Sequence, residues 1–449
     1  MGTGCPPYDY CRIGARSAPK FIRLIYSSSA KPIRADRCNI LPMDNLSHTV
    51  VGLAAGELTH RLLHPEPACE DQRLRRRLLL LACWLASNFP DLDLVLTPLL
   101  PAPLGYLLHH RGHTHTLLYA VPQALLLAGL VWLWPAARRL LRQSAQARLG
   151  LGIVVGAGFV LHLLMDYLNS YGIHPFHPFD SRWLYGDMVF ILEPVFWIAF
   201  GVPMAMTVQR LPPRILLLAL LVGAPLYFTV QGFLPWASLG ALLVLAIVLG
   251  GLQYRAGARG MRALSAAAGV LLAFLLAQYL GSERARETVT QALRGKDGAS
   301  LVLDVATTSF PSNPLCWAFT SIESNEAAGS YRLHRGIVSI APALLTVADC
   351  PASLSEGAGE RAGMPAIAFV LAQEGDLRAL RALKQNSCHF AAWLRFARMP
   401  ALNRMTATDI RFAASPRGNF TTMDIDAFRN QACPDHVPQW GFPRQDLLE

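Results

Sequence analysis

Charge is scarce in this chain. Only 16% of its 449 residues are Asp, Glu, Lys or Arg, against about a quarter in a typical soluble domain, while 53% are hydrophobic and the mean hydropathy is positive. That balance excludes an ordinary soluble enzyme and directs attention to membrane segments. The nine cysteines form no CxxC pair and no zinc-ribbon spacing, which excludes a dithiol redox motif and a thiolate zinc site. Basic residues outnumber acidic ones, 40 to 30, yet no basic patch interleaved with aromatics lies outside the membrane loops, so nucleic acid is not an expected partner. Internal repeats and low-complexity tracts are also missing. Residues 1–42 lack sustained periodicity and the apolar core of a signal peptide. They read as a disordered extension, with Met43 of MDNLSHTVVGLAAGE as the expected natural start.

What is present is a series of apolar runs. The helix expected over 46–63 carries Glu57, His60 and Arg61, and the next apolar run, 78–89, has only twelve residues. Twelve helical residues cover about 18 Å, short of the roughly 30 Å hydrocarbon core. This pair reads as a partly embedded or re-entrant hairpin. Runs at 116–135, 149–168, 188–208, 214–233, 235–252 and 262–280 approach the ~20 residues a span requires, giving six expected spans.

Arginines mark alternate connections. Arg73, Arg75, Arg76 and Arg77 fall between the two short helices; Arg138, Arg139, Arg142 and Arg148, then Arg210 and Arg214, then Arg255, Arg259 and Arg262 fall in later ones. The positive-inside rule places all of them on the cytoplasmic side. The other connections, and everything after Gly281, are then periplasmic. The tail returns to soluble composition, with strand-like runs (SLVLDVATT, YRLHRGIVSIA) and helix-like ones (LRALRALKQ, AAWLRFARM). The expected fold is mainly α: a polytopic helical membrane domain over 43–280 followed by a soluble α+β domain over 281–449. Cys316, Cys350, Cys388 and Cys433 of that tail form either two disulfides or four buried thiols.

Four polar clusters interrupt the apolar chain, all at the same expected membrane face. Ser47-His48 opens the first helix. In SNFPDLDLV, Pro90 breaks the helix and Asp91 and Asp93 follow in an extended turn, where two carboxylates can share one hard or borderline cation. In HHRGHTH, Gly112 interrupts any helix, so His110 and His115 are free to converge, and Arg111 offers a fork of donors to an anion. In HLLMDYLNSYGIHPFHPFD, His162 and Asp166 stand one turn apart on one helix face. Further on, Asp187 precedes the next run, and Glu193 beside Pro194 needs a partner that an imidazole or Arg182 can supply. Ionisable groups beside apolar runs are expensive unless paired or coordinated. A site with N and O ligands and no sulfur suits zinc and also accepts manganese or iron. The number of donors fits two ions better than one.

MDNLSHTVVGLAAGE, NFPDLD, HHRGHTHTLL, HLLMDYLNSYG and FPSNPLCW, in this order from Met43 to Trp317, resemble the YdjM-like (LexA-regulated type) inner-membrane metal-dependent hydrolases. Members carry D-x-x-T-H, P-D-x-D, H-R-G-x-T-H-S and H-x-x-x-D. Here Ser47 stands for the usual Thr, Thr116 for Ser, and Glu193-Pro194 for Asp-Pro. The resemblance implies a membrane-bound hydrolase with a divalent metal, its ligand positions matched by His48, Asp91, Asp93, His110, His115, His162 and Asp166. His109 and His113 fall outside the pattern. A looser resemblance links the H-x-x-x-D to the helical zinc-dependent phospholipase C fold.

The combined expectation is a hydrolase in the bacterial inner membrane whose metals, one or two zinc ions, activate a water against an ester or phosphoester of a small or lipid-like substrate. Asp91 or Asp166 serves as general base, and Arg111 or Arg182 stabilises developing negative charge. Two rivals remain: a metal or proton transporter, which places its ionisable groups near the midplane, and a non-catalytic membrane protein stapled by metal.

Overall fold

A computed structural model describes residues 45–257, 260–351, 365–412 and 418–449. The expectations for the first 42 residues, for Met43 as the start and for Arg259 lie outside the described residues. Among the described residues ten α-helices precede the first strand: α1 (Asn45–Leu62), α2 (Cys69–Ala86), the short α3 (Leu104–His109), α4 (Leu117–Leu133), α5 (Pro135–Gln143), α6 (Ala145–Tyr167), α7 (Pro194–Met206), α8 (Leu211–Val230), α9 (Trp236–Ala256) and α10 (Arg262–Lys296). Among the described residues five helical stretches are long and apolar enough to span a membrane: Cys69–Leu99, α6, α8, α9 and α10. The segment Leu104–His115 with α4 makes a sixth if this pair, bent by 74°, is one span.

The set of spans differs from the expected one in two places. The second helix begins at Cys69, so Arg73 to Arg77 lie inside it and not in a connection. The tolerance comes from pairing: Arg75 is fully buried but donates to the His64 carbonyl and to Glu66, and Arg76 pairs with Glu57. The segment 188–208 contains only the thirteen-residue α7, which is nearly all buried and packs against α1, α8, α9 and α10. Helices α1 and α7 run inside protein, which removes the demand for a long lipid-compatible surface.

Hydrogen bonds fix which helix ends share a face. Arg76 reaches Thr207 Oγ1 after α7, Arg61 reaches the Gly260 carbonyl before α10, and Ser144 before α6 donates to Glu66 after α1. The arginine-bearing connections therefore gather at one end of the bundle. The opposite end holds the start of α1, the ends of α2 and α6, and the loop 168–193.

At 35 residues, α10 is about 52 Å long, more than a hydrocarbon core requires. Its last turns leave the bundle and pack Ala285, Val289 and Leu293 onto Val305, Trp317 and Phe319 of an antiparallel sheet. The sheet has the order β1 (Leu301–Phe310), β2 (Asn313–Asn325), β3 (Ser330–Ser339), β4 (Ile367–Asp376). Both expected strand runs are strands, and LRALRALKQ lies in helix α11 (Leu377–Asn386). The helix expected at AAWLRFARM stops early: α12 (Cys388–Leu394) ends there and Pro400 opens β5 (Pro400–Leu402) of a small sheet with β6 (Thr406–Asp409) and β7 (Met423–Asp424). Of the two alternatives for the tail cysteines, the structure has the disulfides, Cys316–Cys350 and Cys388–Cys433.

The soluble part is joined to the loop end of the bundle by a shared core. Leu104, Leu107 and Leu108 of α3 and Trp183 of the loop pack in one apolar cluster with Trp393, Phe396 and Trp440. A buried ionic clasp reinforces it: Arg398 holds both carboxylate oxygens of Asp187 at 2.9 Å and those of Asp304 at 2.7 and 3.0 Å, and Arg286 adds a bond to Asp187.

Candidate metal centre

The helices α1, α2 and α6 approach closely because small residues line their contacts. A Cβ on Gly52 would lie 2.1 Å from Ser87 Oγ, and one on Gly158 2.5 Å from the Ala86 Cβ. This packing sets His48, the chain after Ser87, and His162 side by side; the His48 and His162 rings stack at 4.2 Å. Beyond Phe89 the chain enters a 3-10 stretch, Pro90–Leu99, and not the extended turn expected for DLD. The tighter 3-10 turn still turns Asp91 and Asp93 inward, both buried, while Leu92 between them points out.

The HRGHTH segment supplies the other wall. Helix α3 stops at His109, Arg111 takes a positive φ of 57°, and a short 3-10 turn, His113–His115, leads into α4. Gly112 is required by space: a Cβ there would sit 2.9 Å from the carbonyl oxygens of Leu108 and His109. The Arg111 backbone N–H donates to Asp93 Oδ2 at 3.0 Å, which ties the strained turn to the 3-10 stretch.

Four buried donors converge. His115 Nε2 lies 2.9 Å from His162 Nε2, 3.1 Å from Asp166 Oδ2 and 3.3 Å from Asp91 Oδ1. His162 Nε2 is 3.6 Å from Asp91 Oδ1 and 3.5 Å from Asp166 Oδ2. His48 Nε2 approaches Asp166 Oδ1 at 3.3 Å. A second group shares Asp91 and adds Asp93 and His110, with His110 Nδ1 3.1 Å from Asp93 Oδ1. Within each group one donor atom from every member lies within 4.8 Å of the others. His115 closes the link between the groups, its Nδ1 3.2 Å from Asp93 Oδ2.

This arrangement fits a cation. The His162 Nδ1–H donates to the Ser87 carbonyl at 2.8 Å, so its Nε2 presents a lone pair to the centre, where another imidazole nitrogen already points. Asp166 Oδ2 is buried and makes no hydrogen bond. Three carboxylates, Asp91, Asp93 and Asp166, face a single guanidinium, Arg111, whose Nη2 is 2.7 Å from Asp166 Oδ1. Buried carboxylates are costly unless they are paired or coordinated, and a divalent cation among them meets that cost. The buried Asp and His cluster can hold a metal ion.

The structure places the remaining candidates elsewhere. Arg111 is buried beneath the cluster, also donating to the Asp166 carbonyl and Asn169 Oδ1, with its guanidinium over Tyr171 at 4.7 Å. Arg182 is exposed and pairs with Asp180; it does not supply the partner expected for Glu193. That partner is Ser312, whose N–H and hydroxyl donate to the Glu193 carboxylate. Asp187 belongs to the Arg398 clasp. His113 packs among Tyr119, His177 and Trp440. Ser87, Thr114 and Asn169 are contributors that sequence reasoning missed: the Thr114 hydroxyl donates to Asp93 Oδ2 at 2.6 Å. A signal existed for Thr114 and Asn169, polar residues inside HRGHTH and one turn past Asp166, but none for a carbonyl such as that of Ser87.

These features define a polytopic membrane protein that buries a His/Asp centre at one end of its bundle, beneath a soluble α+β domain. Residues 43–237 match the family described as YdjM inner membrane protein, and this segment contains all seven expected ligand positions. The match ends at the start of α9, so α10 and the soluble domain lie beyond it. No curated protein and no solved structure matches the chain.

Proposed function

We propose that the protein is a membrane-embedded metal-dependent hydrolase acting on an ester or phosphoester. The observation that carries this reading is the pair of donor groups sharing Asp91, which suits two neighbouring divalent ions. The nitrogen and oxygen donors favour zinc. Such ions would lower the pKa of a bound water and polarise an ester oxygen.

The chain's own residues have distinct tasks. Asp91 is the donor common to both groups. Ser87 and Thr114 fix the orientation of His162 and Asp93. Arg111 holds Asp166 through Oδ1, which leaves Oδ2 directed at His115 and His162 as the donor of that carboxylate. This reading gives Arg111 a positioning role, since its donors are directed at Asp166 and Asn169. The donors gather at one end of the bundle rather than at mid-depth, which favours an enzyme over a transporter.

The site end is assigned to the periplasm. Two observations support it: the arginine-bearing connections gather at the opposite end, and both disulfides lie in the domain at the site end, while Cys69 and Cys83 are free.

The test is hydrolysis of generic phosphoester and ester substrates by purified protein with added zinc or manganese, beside His162→Ala. Metal-dependent turnover lost in the variant supports the reading. Equal turnover in both, or none in metal-loaded wild type, overturns it.

A further inference from the structure

The surroundings of the centre differ sharply between the side of the soluble domain and the side of the 3-10 stretch. Toward the soluble domain it is roofed by aromatic rings. Tyr106 lies 5.0 Å from His110 and 5.5 Å from Phe420; Tyr171, under the Arg111 guanidinium, packs on Phe396 at 4.9 Å and on Phe412 at 5.8 Å. Behind the rings stands the shared apolar core, cross-linked by Trp183 Nε1 to the Arg395 carbonyl and by Arg411 to the Ser170 carbonyl. A soluble substrate arriving along the bundle axis meets this packed layer.

On another side lies the 3-10 stretch Pro90–Leu99. Asp91 is the least buried member of the four-donor group, at 7% against 1% or less for His115, His162 and Asp166. The exposed residues of the same stretch are apolar: Leu92 is 56% exposed and Val95 75%, with Leu96 and Leu99 exposed as well. The 3-10 stretch thus presents carboxylates inward and aliphatic side chains outward. The apolar surface continues on neighbouring elements. Leu117 and Leu118 open α4 exposed, and the Leu117 N–H bonds the Pro175 carbonyl, which brings exposed Phe176 alongside. From there the exposed face of α4 runs on through Leu125, Leu126 and Leu130 into the span. An apolar surface continuous with a membrane-spanning helix is covered by lipid.

We propose that the substrate is a membrane glycerophospholipid, which enters laterally from the leaflet across the Leu92–Leu99 surface and places an ester-type bond of its glycerol–headgroup region beside Asp91. This rests on the hydrolase reading above and names its substrate class. In the hydrolysis, water oxygen bonds to the phosphorus or acyl carbon, the bond from that atom to the leaving oxygen breaks, and the proton from water ends on the leaving alcohol. No other reactant is needed.

The experiment uses the full chain, loaded with zinc, in phosphatidylethanolamine–phosphatidylglycerol vesicles, and compares hydrolysis of the vesicle lipid with that of monomeric dibutyryl phosphatidylglycerol in detergent. Vesicle lipid is the better substrate, and Val95→Glu combined with Leu99→Glu lowers the ratio of vesicle to soluble rate about tenfold, because a carboxylate at lipid depth is costly. Hydrolysis of the soluble substrate alone, or an unchanged ratio in the variant, overturns the lipid proposal and leaves the hydrolase reading standing. Hydrolysis of neither overturns both. A readout independent of turnover is p-benzoylphenylalanine placed at Val95 or Leu99 and irradiated in the same vesicles: phospholipid adducts are expected at both positions, and their absence overturns the proposal.

Discussion

His115 Nε2 and His162 Nε2 face each other across 2.9 Å with both side chains sealed from solvent. Because His162 spends its other N–H on the Ser87 carbonyl, the contact brings a lone pair toward a second imidazole and two carboxylates. Removing metal leaves this nitrogen pair in contact and the buried Asp166 Oδ2 without a hydrogen bond. Chelation is expected to lower the melting temperature, and zinc to restore it, with a linkage of about 3 kcal/mol at a hundredfold excess over the dissociation constant. A melting curve indifferent to chelator contradicts this.

Arg111 is expected to matter for folding before it matters for turnover. Arg111→Ala strips the Asp166 carboxylate of its guanidinium inside the bundle, a loss of about 3–5 kcal/mol. Arg111→Lys keeps the charge but cannot serve Asp166 Oδ1, the Asp166 carbonyl and Asn169 together. Size-exclusion profiles and melting of both variants check this; wild-type stability in Arg111→Lys would instead assign the residue to substrate.

The residues of the two donor groups were legible in the sequence because ionisable residues beside apolar runs are few and four clusters carried many of them. The helical periodicity that pairs His162 with Asp166 is local, and Gly112 announces its own break. Long-range partners were not legible. Glu193 was expected to meet an imidazole or Arg182 and instead binds Ser312 on a turn of the sheet; Asp187 was expected around the metal ligands or the substrate and instead anchors Arg398, over two hundred residues on. Nothing local distinguishes a carboxylate that binds metal from one that binds a distant arginine. The run 188–208 reads as a full span because it is apolar along its length, whereas its helix, α7, has only thirteen residues and is enclosed by α1, α8, α9 and α10.

The Arg398 clasp carries a pH dependence. Burial pushes the Asp304 carboxyl up, but Arg398, with Arg444 and Arg286, outweighs burial and brings it down to about 2 from an ordinary 3.8. A depressed folded-state value means that this stabilisation is complete above the ordinary value and is lost as pH falls through about 2. Asp304→Asn is expected to cost about 2 kcal/mol at neutral pH and to flatten the acid limb between pH 4 and 2. Denaturant titrations of the soluble domain's tryptophans across that range check it; identical acid limbs contradict it.

Topology has an independent readout. Alkaline phosphatase fused after Thr290, where α10 packs on the sheet, is expected to be active in a bacterial host, since the fusion point lies at the end that carries both disulfides. An inactive fusion reverses the assignment of the two faces.

The central claim is that Asp91 belongs to two metal positions at once, and metal content per chain tests it most directly. Elemental analysis of purified wild-type protein should give about two divalent ions, with His110→Ala retaining about half that content, and Asp91→Asn losing nearly all of it while still eluting as folded protein. A metal-free wild type, or an Asp91→Asn variant that keeps its full complement, contradicts the account.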